Sequence, residues 1–489
     1  MQTHAWRGGI MVARRFGGAR RWGALLLGAL AAGGPLLMSQ QGVAEGFVDG
    51  RDSGLYQRKT EPFRTPRRLR PRVDFWKDVF SRYGKYDLVV HHRMFPQAVF
   101  HVERFGYIAA SMSPVEQKRF IDYQEQALKR DVAQSLRYLG QGGQPYSSFD
   151  RQVERAMQMV PGGPEKYDAA VNDDLVRVQR GIRERYQEAL ERSGRYLPYI
   201  EEIFRQEGAP IELTRLPFIE SSFDYEATSS VGAAGIWQFM KATARSYMTV
   251  SSILDERRDP FVSSRAAARY LRRAYEELGA WPLAVASYNH GVAGVAKKVA
   301  QMGTRDISEI VEHPYLRPFG FASTNFYPEL LAALEVYEER HILFPGLREE
   351  PALAFRSVEI PQSQPGPAIA RRLGVPVSHL ASLNLALSSE VWKGRALVPR
   401  GYNLLVPTDS PEASVSWVSY EPPRREREEA EPRMRREQGQ NSQKTHQVRP
   451  GESLSTIAAR YGTTVAKVCL VNQCRKDKAV NKGERLRIP

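Results

Sequence analysis

The chain has 489 residues and a formal net charge of +15. That length exceeds what one hydrophobic core organises and suits three or four units. The charge suits nucleic acid, an anionic membrane surface or an acidic polymer and does not choose among them, whereas cysteine at only 469 and 474 excludes a lipid attached near the N-terminus.

Residues 1–44 read as a secretory signal. Arg7, Arg14, Arg15, Arg20 and Arg21 precede any acid, an apolar run follows from Trp22 to Met38, and the small residues Gly42-Val43-Ala44 suit cleavage after Ala44. The apolar run falls short of the roughly 20 residues of a membrane span. An uncleaved anchor stays open as the alternative, as do membrane association without a lipid and a start at either Met1 or Met11. Export makes nucleic acid a poor partner. Residues 45–73, rich in Arg, Pro and Gly, read as a disordered leader.

From Asp74 apolar residues recur, and 74–194 reads as an N-terminal helical region. Ser113-Pro114-Val115-Glu116 carries a cap, a first-turn proline and an early acid, and Phe120, Ile121, Leu136 and Leu139 continue one helix to Gly140. A further helical run through Tyr186, Leu190, Leu197, Ile200 and Phe204 ends at Gly208-Ala209-Pro210. Residues 195–345 form the next, mainly α domain, with helices expected at 263–278 and 328–341. Residues 350–407 change texture to a β-α-α-β order, with strands near 352–360 and 402–406. Residues 411–444 are charged and poor in apolar side chains, as a solvated linker is, and 445–489 repeat the β-α-α-β order. Cys469 and Cys474, close together in an exported chain, point to a disulfide; two buried thiols are the alternative.

The chemistry concentrates at Glu220. It is the only acid in Leu216-Pro217-Phe218-Ile219-Glu220-Ser221-Ser222-Phe223, at the end of an apolar helical run. Burial there penalises the ionised form and keeps a proton on the carboxyl near neutral pH. Asp224 and Glu226 are rival second carboxyls, with turn capping as the plainer reading. Asp255, Glu256, Arg257 and Arg258 read as a solvated turn, and Asp259 as a helix cap. No histidine spacing suits a metal, and neither a metal nor a cofactor is expected.

Three blocks, Glu220-Ser221-Ser222-Phe223, Gly232 to Met240 (GAAGIWQFM) and Ala286-Ser287-Tyr288-Asn289-His290-Gly291, resemble in order and spacing the soluble lytic transglycosylase type of catalytic domain. Residues 445–489 resemble a LysM peptidoglycan-binding domain, and 350–407 a degenerate copy of one. The resemblance implies a lysozyme-like helical catalytic domain with small β-α-α-β LysM modules, located in the periplasm or cell envelope of a bacterium. Its implied activity is non-hydrolytic cleavage of the β-1,4 bond between N-acetylmuramic acid and N-acetylglucosamine, giving 1,6-anhydro ends, with glycan strands as partner. It assigns Glu220 as the catalytic acid and then base, and Ser221, Gln238, Phe239, Met240, Tyr288 and Asn289 as substrate-binding residues. One block departs from the pattern. Relatives carry Asn-Tyr-Val-Pro where this chain reads Asn325-Phe326-Tyr327-Pro328, so a hydroxyl is missing at 326 unless Tyr327 replaces it. A hydrolytic muramidase and a non-catalytic wall-binding scaffold are the alternatives. The sequence leaves open the oligomeric state, endolytic against exolytic action and the role of 74–190.

Overall fold

The structure, a computed structural model, describes residues 63–313, 319–408 and 410 and, near the C-terminus, 444–461, 463–472, 480, 481 and 483–488. The signal expected at 1–44 and all of the linker expected at 411–444 except its last residue lie outside these. The chain divides into two compact units, 1–415 and 416–489.

The first unit is mainly helical, as the sequence predicts. Its helices up to residue 343 are α1 (Arg70–Ser81), α2 (Gly106–Ala109), α3 (Pro114–Gly140), α4 (Ser148–Gln158), α5 (Glu165–Asn172), α6 (Arg183–Ser193), α7 (Leu197–Gln206), α8 (Leu216–Glu220), α9 (Lys241–Ala244), α10 (Pro260–Leu278), α11 (Trp281–His290), α12 (Val292–Met302), α13 (Ile307–Val311), α14 (Phe321–Glu338) and α15 (Arg340–Leu343). Several starts follow the expected chemistry. Ser113 and Glu116 close a capping box on α3, and Asp259 accepts from the Phe261 and Val262 amides to cap α10.

The region 74–194 is not purely helical. β1 (Asp87–His92) lies between β2 (Val99–Arg104) and β3 (Val176–Arg180), antiparallel to both. Leu88-Val89-Val90 explains why. Leu88 and Val90 enter a small core with Phe100, Val132, Leu136 and Val153, while Val89 on the opposite face enters the large core with Trp76 and Tyr186. A strand buried on both faces reads as a continuous apolar run, and β-branched valines suit it better than a helix. Residues 63–73, expected to belong to a disordered leader, are part of the fold. Phe63, Leu69 and Val73 are fully buried in the large core, and α1 starts with Pro71 in its first turn.

Helix α1 packs against α14 through polar contacts as well as apolar ones. The buried Arg72 guanidinium donates to Asn325 Oδ1 at 3.1 Å, Glu312 at 2.6 Å and the Met94 carbonyl at 2.8 Å, and Trp76 Nε1 donates to the same Asn325 oxygen at 3.0 Å. Arg70 pairs with Glu335 at 2.7 Å and Lys77 with Glu339 at 2.6 Å. Helix α14 is longer than the expected 328–341, with Pro328 inside it. Proline usually opens a helix or breaks one; here the packed apolar faces on both sides of Pro328 carry the helix through.

Residues 350–407 show the expected β-α-α-β order with an added pair of two-residue strands and one added short helix. β4 (Phe355–Glu359) pairs with β7 (Asn403–Pro407), and β5 (Gln364–Pro365) with β6 (Leu397–Val398). Between them run α16 (Gly366–Leu373), α17 (Val377–Leu383) and α18 (Ser389–Trp392). This segment is bonded to the helical domain. Glu350 and Leu353 amides donate to the Glu191 and Arg195 carbonyls, the Asp255 amide donates to the Ala386 carbonyl at 2.8 Å, and the Ser388 amide to that of Ile253 at 2.9 Å. Phe355 packs on Tyr199 and Phe261 with centroids 5.2 and 5.0 Å apart.

The second unit is the expected β-α-α-β module. β8 (Lys444–Gln447) pairs with β9 (Arg485–Ile488) around helices Leu454–Arg460 and Val465–Asn472. Its core is Val448, Leu454, Ile457, Ala458, Val468, Cys469, Leu486 and Ile488. Cys469 is disulfide-bonded; Cys474 lies outside the described residues.

Candidate active site

Glu220 ends α8, a single turn whose position is fixed on both sides. Phe218 stacks on Tyr186 at 5.4 Å and meets Phe223 at 4.6 Å. Beyond the acid, Ser222 and Phe223 adopt φ of 56° and 54°, and the amides of Ser221 and Phe223 both donate to the Pro217 carbonyl at 3.1 Å. Two successive left-handed residues other than glycine are costly and persist where packing over-determines them. Here Phe223 is fully buried and Arg192 donates to the Ser222 carbonyl at 2.8 Å. The turn folds the chain back and leaves the carboxyl at the helix tip.

The Glu220 side chain is half-buried and has no hydrogen bond or ion pair among the described residues. Desolvation, aided by the charge of Glu329, pushes its pKa up to about 8. It therefore carries a proton at neutral pH, as the sequence predicts. Asp224 accepts from the Glu226 amide at 3.0 Å and caps its own turn, and Glu226 is exposed. Both are turn residues.

The 232–240 loop forms one wall. Gly232 and Gly235 have φ of 85° and 76°, and a Cβ on Gly235 would overlap the Arg257 carbonyl oxygen. Arg257 itself donates to the carbonyls of Gly232 at 2.7 Å and Phe239 at 3.1 Å, and Asp255 holds its guanidinium at 2.7 and 2.9 Å. The turn expected to be merely solvated is thus a clamp on this loop. Gln238, at φ 49°, donates through Nε2 to the Gly235 carbonyl at 2.8 Å. Its Oε1 has no partner among the described residues, which leaves an acceptor. Phe239 is buried and Met240 is 45% exposed. Trp237 is core, stacked on Phe204 at 5.4 Å with Nε1 donating to Ser264 Oγ at 2.8 Å.

Ser221 does not follow expectation. It is buried, and its hydroxyl donates to the Ile236 carbonyl at 2.9 Å. It ties α8 to the wall loop, as a serine beside an unpaired backbone carbonyl commonly does.

Helix α11 supplies the third block. Tyr288 donates its hydroxyl to the Trp237 carbonyl at 2.8 Å, and its ring lies parallel to Phe326 at 6.3 Å. Burial, then the charge of Glu220 and Tyr270, drive its pKa well above the phenol value, so it stays a neutral donor. Asn289 Oδ1 accepts from Ser323 Oγ at 2.7 Å, and its Nδ2 has no partner among the described residues. His290 sits behind it, 3.2 Å from the same Ser323 hydroxyl. Tyr327, the candidate to replace the missing hydroxyl, points elsewhere. It is 1% exposed on a different face of α14 from Phe326, near Asp306 at the start of α13.

Sequence reasoning missed Glu329. It is half-buried on α14, and desolvation pushes its pKa to about 8 against the opposing pull of Arg177. Among the described residues no three His, Cys, Asp or Glu side chains are arranged to hold a metal ion.

A protonated, half-buried carboxyl beside a loop that offers an amide acceptor and a helix that offers a neutral phenol and an amide donor is equipment for acid–base cleavage of a polar polymer. The comparisons agree. Residues 199–311 match the Transglycosylase SLT domain and 446–489 the LysM domain. The chain is 27% identical over 377 residues to membrane-bound lytic murein transglycosylase D of Escherichia coli (strain K12), covering 73% of this chain and 79% of that one. A protein of Alteromonas sp. (strain M-1) named for tributyltin chloride resistance is 33% identical over 168 residues, 34% of this chain and 78% of the relative. The solved 70 kDa soluble lytic transglycosylase of Escherichia coli is 18% identical with a TM-score of 0.26, and the match covers 43% of this chain and 35% of that enzyme. The chain belongs to the SLT-domain lytic transglycosylases and carries a C-terminal LysM domain.

Proposed function

We propose that Glu220 alone carries the proton through both halves of a non-hydrolytic cut in peptidoglycan. The chain is a lytic transglycosylase of the bacterial cell envelope, tethered to peptidoglycan by its LysM domain. In the reading offered here the signal at 1–44 exports it, and the scissile bond joins N-acetylmuramic acid to N-acetylglucosamine.

The observation that carries the assignment is a carboxyl at the cleft with no competing partner and a pKa of about 8. In the first half Glu220 gives its proton to the glycosidic oxygen as the bond to C1 breaks, and the N-acetylglucosamine leaves as an alcohol. In the second half the muramic O6 bonds to C1, its proton passes to the Glu220 carboxylate, and the 1,6-anhydro ring closes. One proton is lent and returned, and no water is consumed. The attacking hydroxyl belongs to the substrate, so it acts at a high effective concentration. A raised pKa serves both halves, since it keeps the acid loaded before the cut and makes the carboxylate a competent base after it. Gln238 Oε1 and Asn289 Nδ2 offer an acceptor and a donor to an N-acetyl group, and Phe239, Met240 and the Tyr288–Phe326 stack form the apolar wall beside it. The LysM domain keeps the cutting domain at high local concentration on the glycan.

The experiment is digestion of purified sacculi by the wild type and Glu220→Gln, with mass spectrometry of the products. Wild type is expected to release muropeptides one water lighter than reducing-end products, and the variant to release none. Reducing ends would replace this reading with a hydrolase. Undiminished release by the variant would remove Glu220 from the chemistry.

A further inference from the structure

One face of α14 is turned to α8 and α11. Phe326, Glu329, Leu330, Ala333 and Tyr337 recur at three- and four-residue spacing, a single helical stripe. At one end Phe326 stacks on Tyr288. At the other, Tyr337 meets Phe218 at 5.8 Å, and the Ala333 carbonyl lies 3.4 Å from the hydroxyl of Tyr186, whose ring covers Phe218. The stripe therefore spans from α11 to α8, and its one charged residue, Glu329, lies between those contacts and within electrostatic reach of Glu220. Like Glu220, Glu329 has no hydrogen bond or ion pair among the described residues. It stands one turn after position 326, where the aligned hydroxyl is missing.

We infer that Glu329 is a positioning residue for the proton of Glu220, a second carboxyl in the same poorly solvated site that resists ionising together with its neighbour. The inference rests on the reading of Glu220 as the proton carrier. Two carboxyls in one poorly solvated cleft resist ionising together, so the first proton lost from the pair makes the second harder to lose. The groups that face the pair do not cancel this. Tyr288 on α11 is a neutral phenol. Arg177 on β3 opposes the effect at Glu329 while lying over the Phe321 ring at 4.1 Å. Arg215, preceding α8, is paired with Glu201 at 2.6 Å, and Arg192 on α6 is turned to the Ser222 carbonyl. Desolvation raises the proton affinity of Glu220 whether or not Glu329 is present. What Glu329 adds is a hold on that proton at higher pH, which widens the alkaline side of the working range.

The test is the pH dependence of kcat/KM for release of anhydro-ended product by the full-length chain, wild type against Glu329→Gln and Glu329→Asp. Glutamine keeps the shape and removes the charge; the alkaline limb is expected to move to lower pH by about 0.5–1 unit, with the rate near pH 5 within a few-fold of wild type. Aspartate keeps the carboxyl and is expected to leave the limb within a few tenths of a unit of the wild-type position. This variant also decides the matter if glutamine impairs folding. A limb unmoved by glutamine, or moved equally by both variants, overturns the inference. Glu220→Gln separates the two readings: if it remains active the proton carrier is misassigned, whereas if it is dead and the Glu329→Gln limb is unmoved, only the role of Glu329 fails.

Discussion

Replacing Arg72 by methionine tests whether the N-terminal helix belongs to the catalytic domain. Arg72 is 1% exposed and its guanidinium contacts Glu312, Asn325 and the Met94 carbonyl. Methionine fills much of the stem volume but leaves the Glu312 carboxylate, 17% exposed, without its cation. Breaking a buried pair from one side costs about 3–5 kcal/mol, and the Met94 carbonyl loses a donor worth about 1 kcal/mol. Partial access of water to Glu312 offsets some of this, so we expect a net loss of about 3 kcal/mol. Asn325 keeps its bond from Trp76, so α14 should shift rather than detach. Equilibrium urea unfolding followed by tryptophan fluorescence measures the loss. Much of it comes from a stranded carboxylate, so the double variant Arg72→Met, Glu312→Gln should recover about 1–2 kcal/mol relative to Arg72→Met alone. A loss below about 1 kcal/mol, or a double variant no more stable than the single one, would refute the argument that this pair fixes α1 on α14.

Glu220 is held protonated at a cost to the fold, and that cost has a pH signature. Its folded pKa is raised from 4.5 to about 8, so the folded state binds the extra proton and the contribution present below pH 4.5 is lost as pH rises through about 8. Glu220→Gln should gain melting temperature over the wild type across that window; a difference independent of pH would count against a buried acid. Gly235→Ala should cost about 2–4 kcal/mol, because the added Cβ overlaps the Arg257 carbonyl at a positive φ, and thermal unfolding will show it. In the LysM domain, Glu452 accepts from the Arg449 amide and lies 2.7 Å from His446 Nε2, and these bonds with Arg460 hold its pKa down at about 2. The stabilisation is present above the ordinary value of 4.5 and is lost as pH falls toward 2. Acid titration of the wild type and Glu452→Gln, read by LysM resonances, should converge at the acid end.

Local chemistry was legible in the sequence wherever a residue acts within its own turn. A single acid closing an apolar run marked Glu220, the cap and acid at Ser113 and Glu116 marked α3, and Asp259 before Pro260 marked α10. What escaped depends on distant partners. The Leu88-Val89-Val90 run is a strand because Val176 to Arg180 pairs beside it, about 90 residues on, and no local pattern announces that. The arginines around Phe63, Leu69 and Val73 suggested a leader, yet those three apolar residues complete the main core. Pro328 was the most misleading signal. Read as a helix start, it makes Glu329 an ordinary first-turn acid; with the helix running from Phe321, the same residue falls on the inward stripe beside Glu220. Ser221 shows the opposite error, since the block it belongs to suggests a sugar contact and only the position of Ile236 shows where its hydroxyl goes.

The stretch that matches the SLT family, 199–311, holds Glu220, Gln238 and Tyr288 but does not hold them in place by itself. One wall of the cleft is the 232–240 loop, clamped by Arg257, which Asp255 orients. The strand-like contact of residues 253–255 with Ala386, Leu387 and Ser388 ties that clamp to the segment 350–407. The other wall is α14, outside the matched stretch, fixed from behind by Arg72 and Trp76 of α1. A carboxyl keeps a proton at neutral pH only if its surroundings stay apolar and close, and a wall free to move would admit water and let the proton go. The segment 350–407 and the N-terminal helix therefore bear on the chemistry through the walls they hold. Each holds a wall near enough to keep Glu220 desolvated. On this argument the smallest fragment that retains the raised proton affinity runs from about Phe63 through about Pro407, well beyond the residues that carry the family signature.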